Sequence, residues 1–194
     1  MRSDTRRNLN SLLRAAAEEV TLNPKGLSMQ SVAARAEVGV TSAYRYFPSL
    51  DELLKAYMVR ILESLEDFSV GSELRGPALF TAVMNRWVEL VLEHGRVMVQ
   101  LRSRAGFLER LDGGDSVIAV SKAIWERPLR ELIDDLRLPP EMLRQALFIC
   151  NALSDPREIL DLRMSEDLSA QEITQRLATS VMGAAEGYRP GGVN

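Results

Sequence analysis

The sequence predicts an all-α protein with a small three-helix domain at its N-terminus and a helical bundle after it. Apolar residues recur at intervals of three and four over most of the chain, which is the spacing of amphipathic helices. Several of these segments begin with Ser or Asp followed by Glu three positions later, a helix-start signal. No segment shows the alternating pattern of a half-buried strand. We expect a boundary near residue 50, with domains at 1–50 and 51–194.

Composition places the chain among soluble proteins of the cytoplasm. It has 194 residues, of which 46% are hydrophobic, and a single cysteine, Cys150, so an intramolecular disulfide framework is excluded. No apolar run reaches the ~18 residues of a membrane span, and the N-terminus does not resemble a signal peptide. We therefore expect no membrane association and a cytoplasmic location.

Charge is distributed unevenly along the chain. The net charge is −3, but residues 1–50 hold seven Lys or Arg and four Asp or Glu, so the positive charge is concentrated at the N-terminus. Arg2, Arg6 and Arg7 form a basic N-terminal arm that suits contact with DNA phosphates. A solvated tail is the alternative interpretation of the same residues.

Residues 28–47 predict two short helices around a tight turn. Ser28 occupies the N-cap position of the first helix. In the turn, Glu37-Val38-Gly39, we expect Val38 to pack between the helices and Gly39 to free the backbone before the second helix. The apolar stripe of the first helix consists of Met29, Val32, Ala33 and Ala36.

The second helix, Val40 to Phe47, presents hydrogen-bonding groups to solvent. Ala43 and Phe47 share the face that we expect to be buried, and Pro48 follows the helix. Hydroxyl, phenol and guanidinium groups on the opposite face suit phosphates and base edges in a major groove. The predicted DNA-binding residues are Ser28, Gln30, Gly39, Val40, Thr41, Ser42, Tyr44, Arg45 and Tyr46.

These residues resemble the TetR family of bacterial one-component regulators. The resemblance lies in residues 36–54: the alanine before the turn, the second helix with its Tyr-x-Tyr-Phe ending, and the helix start at Ser49-Leu50-Asp51-Glu52. Leu12 to Ala16 resembles the family's first helix, so the similarity covers roughly residues 6–56. It implies a helix-turn-helix that binds double-stranded DNA, and a C-terminal domain that binds an effector and forms a homodimer.

Three positions depart from the family's pattern. Glu37 stands where a glycine with a left-handed backbone is common, so we expect strain in the turn. Ala43 replaces a bulkier apolar residue, and Leu50 replaces a lysine that would meet a phosphate. The loss of that lysine predicts a shallower salt dependence of DNA binding.

The remaining helices follow in order. A long helix is predicted from Asp51 to Phe68, with a linker at residues 70–76. Pro77 opens the next helix, which we expect to stop at His94-Gly95. Further helices are predicted at 97–105, 116–136, 141–153, after Asp155-Pro156 and after Ser169, with a loop at 112–114. Pro128 is expected to kink or split its helix.

Two apolar stripes near the C-terminus allow two interpretations, because they can cover the core or pair with a second copy. The family resemblance favours the second, as does the small contact area of a single helix-turn-helix, since a two-fold dimer spans two half-sites. The predicted dimer interface comprises Leu143, Leu147, Cys150, Ile173, Leu177, Val181, Ala184 and Tyr188.

Large adaptable side chains in the middle helices indicate either an apolar pocket or ordinary core packing. The resemblance implies that such a pocket would receive a small-molecule effector. The predicted lining residues are Met84, Trp87, Met98, Phe107 and Trp125.

Catalysis is not expected. One His and one Cys offer no paired groups, and no nucleophile elbow, metalloprotease motif or phosphate loop is present. We interpret His94 as a cation at a helix end, and Cys150 as a buried apolar residue, with a redox sensor as the alternative. No cofactor and no metal site are predicted.

The expected function is that of a ligand-responsive DNA-binding regulator, a repressor that a small apolar molecule releases from a palindromic operator. An activator of the same family is the first alternative. A helical protein-interaction module without DNA binding is the second, favoured by Glu37, Leu50 and the acidic total charge.

Overall fold

The computed structural model describes residues 2–101, 103 and 105–187, without the side chains of residues 2 and 3. This part of the chain contains ten α-helices and no strand, which confirms the predicted all-α class. The helices are α1 Arg2–Leu22, α2 Met29–Arg35, α3 Val40–Tyr46, α4 Leu50–Gly71, α5 Gly76–Gln100, α6 Phe107–Asp112, α7 Ser116–Asp135, α8 Leu143–Leu153, α9 Pro156–Ser165 and α10 Ala170–Gly187. A 3-10 turn, Pro140–Met142, precedes α8.

The chain divides into two compact units. The first unit consists of residues 1–61 and 96–102, and the second consists of residues 62–95 and 103–194. The first unit therefore contains the predicted helix-turn-helix. The domain boundary that we expect near residue 50 stays a prediction.

The first unit is built on an apolar core that α1 to α4 share. Leu12, Val32, Ala43 and Leu53 are fully buried in this core, and Val97 of α5 joins them. Because Ala43 of α3 and Phe47 directly after it are buried, the opposite side of that helix faces solvent.

Helix α5 is longer than the sequence pattern predicts. We expect a stop at His94-Gly95 and a new helix from 97, but α5 continues without interruption to Gln100. Gly95 is buried, and a Cβ added there would lie 3.1 Å from Leu160 Cδ1 and 3.1 Å from Val91 Cγ1. This glycine therefore leaves room for the Leu160 side chain of α9 and does not end the helix.

His94 is consequently an interior residue of α5. The predicted role as a cation at a helix end is wrong, because the side chain is half-buried and burial lowers the pKa of its imidazole. A lowered pKa favours the neutral form at neutral pH.

Pro128 does not split α7, which runs from Ser116 to Asp135. A proline has no N–H, so the carbonyl of Ile124, four residues earlier, lacks its usual helical donor. The Ser69 hydroxyl of α4 donates a hydrogen bond to this carbonyl at 2.8 Å, and Ser69 is fully buried. Ser69, which is distant in sequence, thus satisfies a carbonyl that would otherwise remain unpaired.

Arg127, the neighbour of Pro128, binds the end of α4 and the loop after it. Its Nη1 donates to the carbonyls of Ser69 and Val70 at 2.9 and 3.0 Å, and its Nη2 donates to those of Ser72 and Leu74 at 3.0 and 3.1 Å. These carbonyls include two of the last four in α4, which have no partner within the helix. We call this set of contacts the α4 anchor.

Glu131 completes the α4 anchor. Its carboxylate accepts a hydrogen bond from Arg127 Nε at 2.9 Å and another from the backbone N–H of Gly76 at 2.8 Å. Gly76 has a φ of +54°, a left-handed conformation that glycine adopts at low cost. The anchor therefore fixes both the end of α4 and the start of α5 against α7.

Helix starts in the second unit follow the predicted signals. The Asp155 carboxylate accepts from the N–H of Arg157 at 2.9 Å before α9. Ser169 and Glu172 form the reciprocal bonds of a capping box before α10. No helix in the described part of the chain combines the length and hydropathy that crossing a bilayer requires.

Candidate nucleic-acid interface

Helix α2 begins with the N-cap that its sequence predicts. Ser28 is the N-cap, and its hydroxyl accepts from the N–H of Ser31 at 3.1 Å while the Ser31 hydroxyl accepts from the N–H of Ser28 at 3.1 Å. This capping box fixes the entry into α2. Ser28 is half-buried, and because its oxygen already serves the cap, its function in DNA contact stays a prediction.

The turn between α2 and α3 is a Schellman motif with a glutamate in the strained position. Val38 N–H donates to Ala33 O at 3.0 Å and Glu37 N–H donates to Ala34 O at 3.2 Å, which is the hydrogen-bond pair of that motif. Glu37 has a φ of 55°, the left-handed conformation that we expect at this position, where glycine is common in the family. Val38 is half-buried against the core, where we expect it.

Gly39 does not have the function that the pattern predicts. Its φ is −59° and its ψ is 136°, a conformation open to any residue, so the turn does not need the freedom of glycine here. A Cβ at Gly39 would meet nothing within 4 Å. The residue therefore leaves open space at the start of α3.

The outer face of α3 is exposed over its whole length. Val40 is 38% exposed and Tyr44 is 45% exposed, both high values for large apolar side chains. Thr41 and Arg45 are exposed as well. An α-helix with its side chains is about 10 to 12 Å in diameter, and a major groove about 12 Å wide admits it.

The other predicted DNA-binding residues lie near this face. Gln30 is exposed at the start of α2, and Ser42 is half-buried on α3. Tyr46 is also half-buried, and its hydroxyl accepts from Asn8 Nδ2 of α1 at 3.5 Å. The structure thus places the residues predicted from α2 and α3 on one helix-turn-helix.

Basic residues near the N-terminus belong to α1. The predicted arm forms the first turns of this helix, in which Arg6 and Arg7 are exposed. Arg7 Nη2 lies 3.5 Å from Asp4 Oδ1. The side chain of Arg2 lies outside the described residues.

A buried carboxylate that we did not predict connects α1 to α2. Glu19 is 4% exposed, and its Oε1 accepts from Arg35 Nε at 2.6 Å while its Oε2 accepts from Asn23 at 3.2 Å. The hydrogen bond from Arg35 lowers the pKa of Glu19, against the opposing effect of burial. Glu19 lies three and four residues after Ala16 and Ala15 on the apolar stripe of α1, and this spacing is the signal that reveals its burial.

The predicted pocket residues fall in both units. Met84, Trp87, Phe107 and Trp125 belong to the second unit, whereas Met98 belongs to the first. Trp87 Nε1 donates to the Ser154 carbonyl at 2.9 Å, and Met84 is fully buried. The rings of Phe80 and Trp125 lie 5.9 Å apart between centroids, within the range of favourable aromatic pairs.

Most of the predicted interface residues are buried within the chain itself. Helices α8 and α10 pack on each other, and their apolar stripes are buried there: Leu147, Cys150, Ile173, Leu177 and Val181. Leu143 and Ala184 are half-buried, and Tyr188 lies outside the described residues. For the buried residues this packing favours core formation, the first of the two interpretations.

Burial also raises the pKa of the Cys150 thiol to about 12, so the reactive thiolate is scarce at neutral pH.

Comparison with known proteins agrees with this geometry. Residues 12–57 match the model of a family described as bacterial regulatory proteins, tetR family. No curated protein matches the chain in sequence.

Two solved structures are similar over nearly the whole chain. One, from Pseudomonas aeruginosa PAO1, is described as a candidate transcriptional regulator; it has a TM-score of 0.66 and 16% identity, over 96% of this chain and 93% of that one. The other is a TetR-family transcriptional regulator from Streptomyces coelicolor, with a TM-score of 0.58 and 21% identity, over 92% of this chain and 99% of that one. At these identities the likeness establishes a common fold.

Proposed function

We propose that this chain, whose residues 12–57 form a TetR-family N-terminal domain, is a DNA-binding transcriptional regulator of the cytoplasm. The exposed outer face of α3 is the observation that supports this most strongly. Val40 offers a methyl surface that suits the methyl group of thymine, Thr41 and Tyr44 offer hydroxyls, and Arg45 offers a guanidinium. The large side chains exposed on this face are available to contact a duplex.

Binding to DNA tests this proposal directly. Duplexes retained by the protein are selected from a random-sequence pool, and the dissociation constant of the best duplex is measured by fluorescence anisotropy at several salt concentrations. We expect Arg45→Ala to weaken binding by about 1 to 3 kcal/mol if Arg45 contacts a base, or to lower the salt slope by about one if it contacts a phosphate.

Arg86→Ala is the matched control, because Arg86 lies on α5 in the second unit, where it pairs with Glu89 at 3.1 Å. This variant should bind like the wild type. Failure of the wild-type protein to retain any duplex from the pool would favour the protein-interaction module. Equal affinities of wild type and Arg45→Ala at every salt concentration would refute the assignment of α3.

We also propose that the regulator acts as a homodimer through the exposed sides of α8 and α10. Phe148 on α8 is 40% exposed, and Thr179 and Gly183 lie on the solvent side of α10. These residues are available to a second copy, whereas the buried stripes are not. A two-fold dimer presents two α3 helices to half-sites about 34 Å apart.

A charge at Phe148 should disrupt this dimer. We expect Phe148→Glu to sediment as a monomer and to lose at least about 100-fold in operator affinity, because one helix-turn-helix makes too few contacts alone. Met164 is an apolar residue of α9 that is 79% exposed, so Met164→Glu is the matched control and should remain dimeric. A dimeric Phe148→Glu variant would contradict this interface.

The regulatory ligand that we propose is a small apolar molecule, and the proposed action is repression that this ligand relieves. The large side chains of the second unit support an apolar site: Met84, Trp87, Phe107 and Trp125. Such a ligand must bind the two conformations of the dimer unequally to release the operator. The anisotropy assay, repeated with a panel of apolar compounds, tests this; a panel without any effect on operator affinity contradicts it.

A further inference from the structure

Arg45 is restrained by a neighbouring side chain in the free protein. Its Nη2 donates a hydrogen bond to Ser42 Oγ at 2.8 Å. The two residues are three positions apart on α3, so they lie on the same side of the helix. Ser42 is half-buried while Arg45 is exposed, which makes the serine the more fixed member of the pair.

This contact leaves most of the guanidinium available. A guanidinium has five N–H groups, and Ser42 occupies one of them. Recognition of guanine O6 and N7 needs two N–H groups in one plane, so the pair retains enough donors. A side chain that is ordered before binding loses less conformational entropy when the complex forms.

Arg45 has two possible targets, a guanine base and a phosphate, and they differ in how precisely the guanidinium must be oriented. A guanine edge accepts the planar fork in one orientation, so prior alignment improves discrimination between bases. A phosphate is contacted from many directions and gains little from alignment. The hydrogen bond therefore has its largest effect if the target is a base.

We infer that Ser42 is a positioning residue that aligns Arg45 on a guanine in each operator half-site, without contacting DNA itself. This inference rests on the proposed function and specifies the chemistry of the operator. It also changes the role of Ser42, which the sequence pattern presents as a direct contact. Each half-site thus contains a G·C pair whose identity is read through this side-chain pair.

The experiment measures base discrimination, using a duplex selected by the wild-type protein. Each G·C pair of the half-site is changed in turn to A·T, and affinities are compared for wild type, Ser42→Ala, Ser42→Thr and Arg45→Ala. At one position, we expect the wild type to bind the G·C duplex at least about 10-fold more tightly than the A·T duplex, and Arg45→Ala to lose this preference. Ser42→Ala should reduce the preference about threefold to tenfold at the same position, with an unchanged salt slope.

Ser42→Thr keeps the hydroxyl and should restore the discrimination. Because a merely structural defect would weaken binding to all sequences alike, the position-specific loss identifies the positioning role. A uniform loss of affinity for all the duplexes would mean that Ser42 contacts the DNA backbone directly or only supports the helix, and it would overturn the inference. The inference would also be overturned if Ser42→Ala preferred the G·C duplex as strongly as the wild type does. Failure of the wild type to bind DNA refutes the proposed function instead, so the two failures are distinguishable.

Discussion

Arg127→Ala should destabilise the second unit by about 3 kcal/mol, because the substitution removes the donors of the α4 anchor. Four backbone carbonyls lose the guanidinium that they share. Glu131 also loses its cation, although it keeps the N–H of Gly76. Urea unfolding followed by circular dichroism measures the change, with a lower midpoint at an unchanged slope as the expected result.

Arg130 provides the matched control on the same helix. Its Nη2 lies 2.6 Å from Glu126 Oε1, an i,i+4 pair like that of Arg127 and Glu131, and its side chain is 55% exposed. Arg130→Ala should cost no more than about 0.5 kcal/mol, as surface pairs do. Equal effects of Arg127→Ala and Arg130→Ala would show that the carbonyl contacts contribute nothing beyond an ordinary surface pair.

Arg35→Ala should destabilise the first unit, because it leaves the carboxylate of Glu19 without its cation. Glu19 is 5% exposed in its side chain, while that of Arg35 is 34% exposed. An unpaired carboxylate at this depth costs about 2 kcal/mol, since water reaches the site from the side that Arg35 vacates. Thermal unfolding at neutral pH measures the loss.

The deficit of Arg35→Ala should depend on pH. The pKa of Glu19 lies below its ordinary value of 4.5, chiefly because of the hydrogen bond from Arg35. In the wild type this pair therefore stabilises the fold fully above pH 4.5, and the stabilisation is lost as pH falls through the lowered pKa. Without Arg35, burial favours the protonated carboxyl. The difference between the two proteins should be largest near neutrality and shrink in acid.

Arg14→Ala is the control for this second prediction. Arg14 Nε lies 3.9 Å from Glu18 Oε1 on the same helix as Glu19, but its side chain is 78% exposed. This variant should unfold like the wild type at each pH. A deficit of Arg35→Ala that stays constant from neutral pH to about pH 3 would exclude Glu19 as its cause.

The helix-turn-helix was predictable because its signals are local. Ser28 caps the helix that follows it, and Glu37 adopts the left-handed backbone that its position in the turn requires. Each of these features depends on residues fewer than six positions apart. The exposed face of α3 follows from the burial of Ala43 and Phe47 by the same local periodicity.

Features that depend on distant residues were not predictable from pattern. Gly95 resembles a helix stop in sequence, and only the approach of Leu160 explains its place within α5. The spacing of Glu19 on α1 indicates its burial, but it does not identify its partner Arg35, sixteen residues later on α2. The apolar stripes of α8 and α10 give no indication whether their partner is the same chain or a second copy, because burial removes apolar surface from water equally in both cases.

The hydrogen bond between Ser69 and the Ile124 carbonyl couples the evolution of positions 69 and 128. Any residue other than proline at position 128 would bring back the missing amide and make the serine hydroxyl dispensable. If the serine were lost while Pro128 remained, the buried carbonyl of Ile124 would have no hydrogen-bond donor. We therefore expect orthologues to retain both residues or to have replaced the proline before the serine, so the order of replacement along a lineage is constrained by a single backbone oxygen.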